Sequence, residues 1–152
     1  MGYLSDVARR RIAAMLLVAG AAVVALAIAD VGPFSDPITE QERAQAAVER
    51  FFEAGQEKDF AAACGQLTKQ AQRAVEQRAG AIASQRGLQG CDEILRLFLG
   101  QLHISKIVDV RVSGNRAVVD ANLSAAGSSH AQPATIGLFL IKDHWKISDF
   151  GQ

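Results

Sequence analysis

Residues 104–124 read ISKIVDVRVSGNRAVVDANLS, and their period decides the fold. Ile104, Lys106, Val108, Val110 and Val112 alternate with Ser105, Ile107, Asp109 and Arg111, the two-residue period of a β-strand. Ser113-Gly114-Asn115-Arg116 is a turn, and Ala117 to Ser124 reads as the return strand, with Val118 and Val119 at its centre. Further on, Ala125 to Pro133 is small and polar, a loop. Ala134 to Ile141 is a third strand, Lys142-Asp143 a tight turn, and His144 to Phe150 a fourth strand carrying Trp145 and Ile147. Four strands with short connections predict an antiparallel meander.

Upstream the period is helical. Thr39-Glu40-Gln41-Glu42 is a capping box. Ala44, Ala47, Val48, Phe51, Phe52 and Gly55 follow at three- and four-residue spacing, one apolar stripe. Asp59 caps a second, short helix with Phe60, Ala63, Cys64 and Leu67 inside. Thr68 opens a third, with Ala71, Ala74, Val75 and Ile82 inside and a Gln- and Arg-rich outer face. Gly87 and Gly90 interrupt, and a fourth helix is expected from Cys91 through Leu99, burying Ile94, Leu95 and Phe98 and stopping at Gly100. Helices segregated ahead of a meander define the class α+β.

The N-terminus has a different character. Arg9, Arg10 and Arg11 precede eighteen uncharged residues, Ile12 to Ala29, enough helix for about 27 Å against the ~30 Å hydrocarbon core of a bilayer. Basic residues on the near side place residues 1–11 in the cytoplasm and the rest of the chain outside. Ala27-Ile28-Ala29 also fits a small-x-small signal cleavage site. The length of the run and the lack of a breaker before that site favour an uncleaved anchor. No cysteine is near enough for lipid modification. Residues 30–38, with Pro33 and Pro37, read as a stiff linker, and residues 39–152 as an extracytoplasmic domain. Either reading of the segment exports the domain: single-pass at the cell membrane if anchored, secreted if cleaved.

Export gives Cys64 and Cys91 their meaning, because an isolated pair outside the cytoplasm is more often a disulfide than a metal site. Two inert buried thiols are the alternative. A bridge would close a loop of about 28 residues, with a chain-entropy value of roughly 3.6 kcal/mol as an upper figure. Two cysteines without histidines at ligand spacing cannot complete a structural zinc site. Beyond position 29 lie 13 of the 16 basic and 15 of the 16 acidic residues, a net charge near −2 with no basic block. That excludes a nucleic-acid-binding face.

Taken together, Ala47-Val48-Glu49-Arg50-Phe51-Phe52 and Asp59-Phe60-Ala61-Ala62-Ala63-Cys64-Gly65-Gln66-Leu67-Thr68 carry a family likeness. So do the second cysteine at position 91, the Gly114-Asn115-Arg116 hairpin and the Trp145-Lys146-Ile147 strand. Over residues 40–150 the chain resembles the nuclear transport factor 2-like, or cystatin-like, superfamily, and within it small exported or membrane-anchored bacterial members of unassigned role. The resemblance implies a curved sheet around the first helix, enclosing a cone-shaped pocket. Phe51, Phe52, Leu67, Phe98, Val110, Leu138, Leu140, Trp145 and Ile147 are expected in the core or lining that cone. It leaves function open, since such members range from isomerases to binding domains.

Catalysis on this fold implies acids, bases or a tyrosine inside the cone. The only tyrosine, Tyr3, precedes the apolar run. The candidates are Asp109, Asp120, Asp149, His103 and His144, each expected at the surface or in a turn. His130 beside Ser128 and Ser129 has no third partner in sequence. No phosphate loop or metal spacing occurs, and no cofactor is expected. The expectation is a non-catalytic, membrane-tethered domain that binds a small apolar ligand, an envelope component or a protein. The alternative is a dehydratase, isomerase or cyclase using the cone.

Overall fold

Thr39 has extended backbone, and its hydroxyl accepts from the Glu42 amide at 3.2 Å while the Glu42 carboxylate accepts from the Thr39 amide at 2.7 Å. The Thr39 hydroxyl also donates to the Glu42 carboxylate at 2.9 Å, and the bonds donated to the carboxylate, first from the amide and then from the hydroxyl, hold the Glu42 carboxyl below the ordinary carboxylate value. The bonds from the two amides satisfy donors that would otherwise be orphaned at the start of α1, Glu40–Gln56. The computed structural model describes residues 37–151. The arginine cluster, the apolar run 12–29 and residues 30–36 of the linker lie outside them. Among the described residues no helix is long and apolar enough to cross a membrane.

Helix α1 buries Ala44, Ala47, Val48, Phe51, Phe52, Ala54 and Gly55 and packs against the strands that follow. Asp59 caps α2, Phe60–Gly65, by accepting from the Ala62 amide at 3.0 Å. Between α2 and α3 the chain touches the sheet. The Thr68 amide donates to the Ile147 carbonyl at 2.8 Å and the Ile147 amide to the Gln66 carbonyl at 2.9 Å, a one-residue parallel bridge at Leu67 that an all-antiparallel reading omits. Helix α3, Lys69–Arg86, is capped by Thr68 and closed by Gly87 in the left-handed conformation, φ 67°.

Helix α4 is shorter than the periodicity predicts, Cys91–Leu95 rather than Cys91 to Leu99. The Leu97 and Phe98 amides donate back only three residues, to Ile94 and Leu95. That tightening changes the angular spacing of the side chains. Phe98, expected inside, is 43% exposed, and Leu99 is buried instead. A short 3-10 turn, Leu99–Gln101, leads into the sheet. Helix α3 shows a similar rotation: Ile82 is exposed and Ala83 buried.

Strands β1 (Leu102–Ser113), β2 (Arg116–Ala125), β3 (Ala131–Ile141) and β4 (His144–Gly151) form one antiparallel sheet in sequence order. The β1–β2 turn is Gly114-Asn115 with Gly114 at φ 59°, and Lys142 and Asp143 both take positive φ at the β3–β4 turn, the geometry that matches strand twist. Strand β3 begins three residues before Ala134, inside the stretch read as a loop. Pro133 sits in it opposite Asn122, while β4 pairs only from Thr135 onward. Beyond the end of β4, a missing N–H in β3 breaks no bond to that neighbour.

The alternation in β1 is also broken. The register slips between Ile104 and Lys106 and again between Ile107 and Asp109, so Ser105 and Val108 are extra residues in the ladder. Ile104, Ile107, Val110 and Val112 pack on the core, whereas Val108 is 56% exposed. Ile107 and Val108 have therefore exchanged the faces that strict alternation predicts. Two bulges in one strand also bend it, as a sheet wrapped over a helix requires.

Candidate functional site: an apolar cavity with two arginines in its wall

The elements line a cavity of about 660 Å³ that is open to solvent on one side, within the usual range for small-molecule sites, ~300–1,000 Å³. Helix α1 contributes Phe51 and Phe52, whose rings meet edge to face at 5.2 Å, and Phe150 from β4 lies 5.4 Å from Phe51. The segment after Cys91 supplies Leu95, Leu97, Phe98 and Leu99, and the sheet supplies Leu102 and Leu123. Helix α3 completes the wall with Val75, Arg78, Ala79, Ile82 and Arg86, a stripe at three- and four-residue spacing. Ile82 and Phe98, two of the exposed large apolar side chains, both belong to this wall. Among the described residues Arg78 and Arg86 are its only charged members.

Of the residues expected in the cone, Phe51, Phe52 and Phe98 line the cavity. Leu67, Leu138, Trp145 and Ile147 are buried in the core, and Val110 and Leu140 are half-buried against it, away from the cavity wall. The Trp145 indole N–H donates to Glu40 Oε2 at 2.8 Å, tying β4 to the first turn of α1. Val75 and Ile82 of the α3 stripe were expected inside, whereas Arg78, Ala79 and Arg86 were missed, because the rest of that helix reads as a polar outer face. Its signal was the spacing 75-78-79-82-86, visible only when arginine is allowed on an inward face.

Cys64 at the end of α2 and Cys91 at the start of α4 form a disulfide, with Cα atoms 6.1 Å apart. It anchors the segment that carries Leu95 to Leu99, and so fixes one wall of the cavity.

The candidate acids and bases do not converge there. Asp109 and Asp120 face each other across β1 and β2 outside the cavity wall. Arg111 lies between them, donating to Asp109 Oδ2 at 2.6 Å and Asp120 Oδ2 at 2.7 Å, and the Thr135 hydroxyl donates to Asp120 Oδ1 at 2.8 Å. The Thr135 bond, then Arg111, keeps the Asp120 carboxyl below its ordinary value, and Asp120 in turn raises Arg111. The opposing charges of this network are already spent on one another. Asp149 is exposed and accepts from the Ser148 hydroxyl at 2.7 Å. His103 borders a shallow depression beside Gln56 and Gly100, His144 another beside Arg43 and Arg50, and His130 lies on an exposed loop. Among the described residues no cluster of three histidine, cysteine or acidic side chains is placed to hold a metal.

Helices followed by a curved four-stranded meander around an internal cavity constitute the nuclear transport factor 2-like fold. The structure is similar to that of an NTF-2 like protein of unknown function from Shewanella oneidensis MR-1, at 14% identity and a TM-score of 0.52, over 74% of this chain and 97% of that one. An NTF2-like protein of unknown function from Cytophaga hutchinsonii ATCC 33406 aligns at 13% identity with a TM-score of 0.43, over 78% of this chain and 95% of that one. No protein-family model and no curated protein matches the chain. At 14% identity the likeness to the Shewanella protein carries the fold alone.

Proposed function

We propose that this chain is a non-catalytic binding domain, held outside the cytoplasm by its N-terminal segment, that takes a small apolar ligand into the cavity. The observation that carries the reading is the wall: among the described residues it has fourteen members, twelve of them apolar and none a carboxylate, imidazole or hydroxyl. Acid–base catalysis needs a proton donor or acceptor within hydrogen-bond reach of the substrate. The dehydratase, isomerase or cyclase alternative has no such pair in this wall to rest on. The tether rests on Arg9–Arg11 ahead of the uncharged run 12–29.

Solvent extraction of the full-length protein purified from its native envelope, followed by mass spectrometry, tests the binding role. An apolar compound enriched in stoichiometric amount is the expected result, and it should be lost from Ala79→Trp, which fills the cavity from α3. Wild-type and Ala79→Trp protein carrying the same compounds would overturn the assignment to this cavity.

A further inference from the structure

We propose that the ligand is a single-chain amphiphile of the fatty-carboxylate type, its chain in the cone and its anionic head at Arg78 and Arg86. The proposal rests on the cavity being a ligand site and adds the chemistry of the head group. Arg78 and Arg86 stand eight residues apart, about 12 Å along α3, on the stripe that faces the cavity. Four other arginines of the domain have visible partners, whereas Arg50 and Arg73, which lie outside this wall, have none among the described residues. Arg43 pairs with Glu40, Arg111 with Asp109 and Asp120, and Arg96 and Arg116 lie over the rings of Phe60 and Phe139. Among the described residues neither Arg78 nor Arg86 is in a salt bridge.

Arg86 lies in the last turn of α3, where any cation complements the helix dipole. That accounts for Arg86 as a helix-end residue; Arg78, in mid-helix, also borders a smaller depression with Asp149 but forms no salt bridge with it. Both side chains are exposed, so their heads reach water while their stems add to the apolar wall. A ligand with a carbon chain and a terminal anion matches both parts. A neutral hydrocarbon would use the stems alone and leave both cations to water, and a cationic amphiphile would be repelled. The volume, about 660 Å³, is that of a drug-sized site rather than a groove for a two-chain lipid or a peptide.

The test uses the full-length protein and two probes of equal chain, cis-parinaric acid and its methyl ester. Binding is read by energy transfer from Trp145, the chain's one tryptophan. The acid is expected to bind about five- to tenfold more tightly than the ester, the worth of one or two partly exposed charge pairs. Raising the salt concentration should shrink that ratio, because exposed pairs are screened. In Arg78→Gln/Arg86→Gln the acid should fall to the affinity of the ester, with the ester unchanged. Arg73→Gln, an exposed arginine of the same helix outside the wall, should leave the ratio intact. Equal binding of acid and ester by the wild type would overturn the anionic head while leaving the apolar site standing. Loss of both probes in the double variant would overturn it too, by showing that the arginines act through the shape of α3. If neither probe binds the wild type, the ligand site itself fails.

Discussion

A methyl group at Gly55 would meet Leu99 Cγ at 2.5 Å, inside the closest approach real side chains make. Leu99 is buried and held by its own tight turn, so it cannot simply swing away. Gly55→Ala should therefore lose about 1–3 kcal/mol by overpacking, more than the ~1 kcal/mol that alanine gains in a helix. Gly80 in α3 has no atom within 4 Å of the added carbon, and Gly80→Ala should gain about 0.5–1 kcal/mol. Urea unfolding of the two variants checks the pair, and changes of equal sign would contradict the packing described. Asp120 offers a second residue-level test. Its folded value lies below the unfolded one, so its contribution is present above the unfolded value and is lost as pH falls through the folded one. Thr135→Val should raise the Asp120 midpoint in an NMR carboxyl titration, and an unmoved midpoint would remove the Thr135 bond as the main cause. Capping residues were legible in the sequence because Thr39 and Glu42 act over three positions. Arg78 and Arg86 were not, because only tertiary packing decides which stripe of a polar helix turns inward.

At the scale of elements, the helices and the two tight hairpins follow from local spacing, but the phase of β1 does not. Bulges depend on partner strands, and nothing in ISKIVDV announces where the ladder will skip. The exchange of Ile107 and Val108 makes this testable. Ile107→Ala should cost about 1–3 kcal/mol, and Val108→Ala should stay within about 0.5 kcal/mol, by thermal unfolding. Strict alternation predicts the opposite order. The disulfide was legible from two isolated cysteines in a domain expected to be exported, and its partners lie on the elements expected. Cys64→Ser and Cys91→Ser should each lower stability by up to about 3.6 kcal/mol, because either one opens the same loop. Widely unequal losses would assign the effect to packing at one of the two sites. The end of α4 was misjudged for a reason of the same kind: Gly100 is a good stop, but the tight turn after Leu95 ends the helix earlier.

For the whole molecule, the order of helices and strands was sufficient to reach the α+β class, the family resemblance implied the cone, and the residues expected in or around it divided between two places. Leu67, Leu138, Trp145 and Ile147 are buried in the core, whereas Phe51 and Phe52 are core residues that also line the cavity. Periodicity reports which side chains face inward, and it cannot separate a filled interior from a hollow one. The central claim is that the hollow part, walled by α3, the α4 segment and the sheet, is where an apolar ligand sits. Methyl-resolved NMR of the full-length protein during titration with dodecanol, an uncharged chain, tests this most directly. The account predicts saturable shifts concentrated at Val75, Ile82, Leu95, Leu97, Leu99, Leu102 and Leu123, with Val108 and Ile141 on the exposed surface unmoved. Shifts centred on those two surface residues, or no saturable shift at the seven, would contradict it.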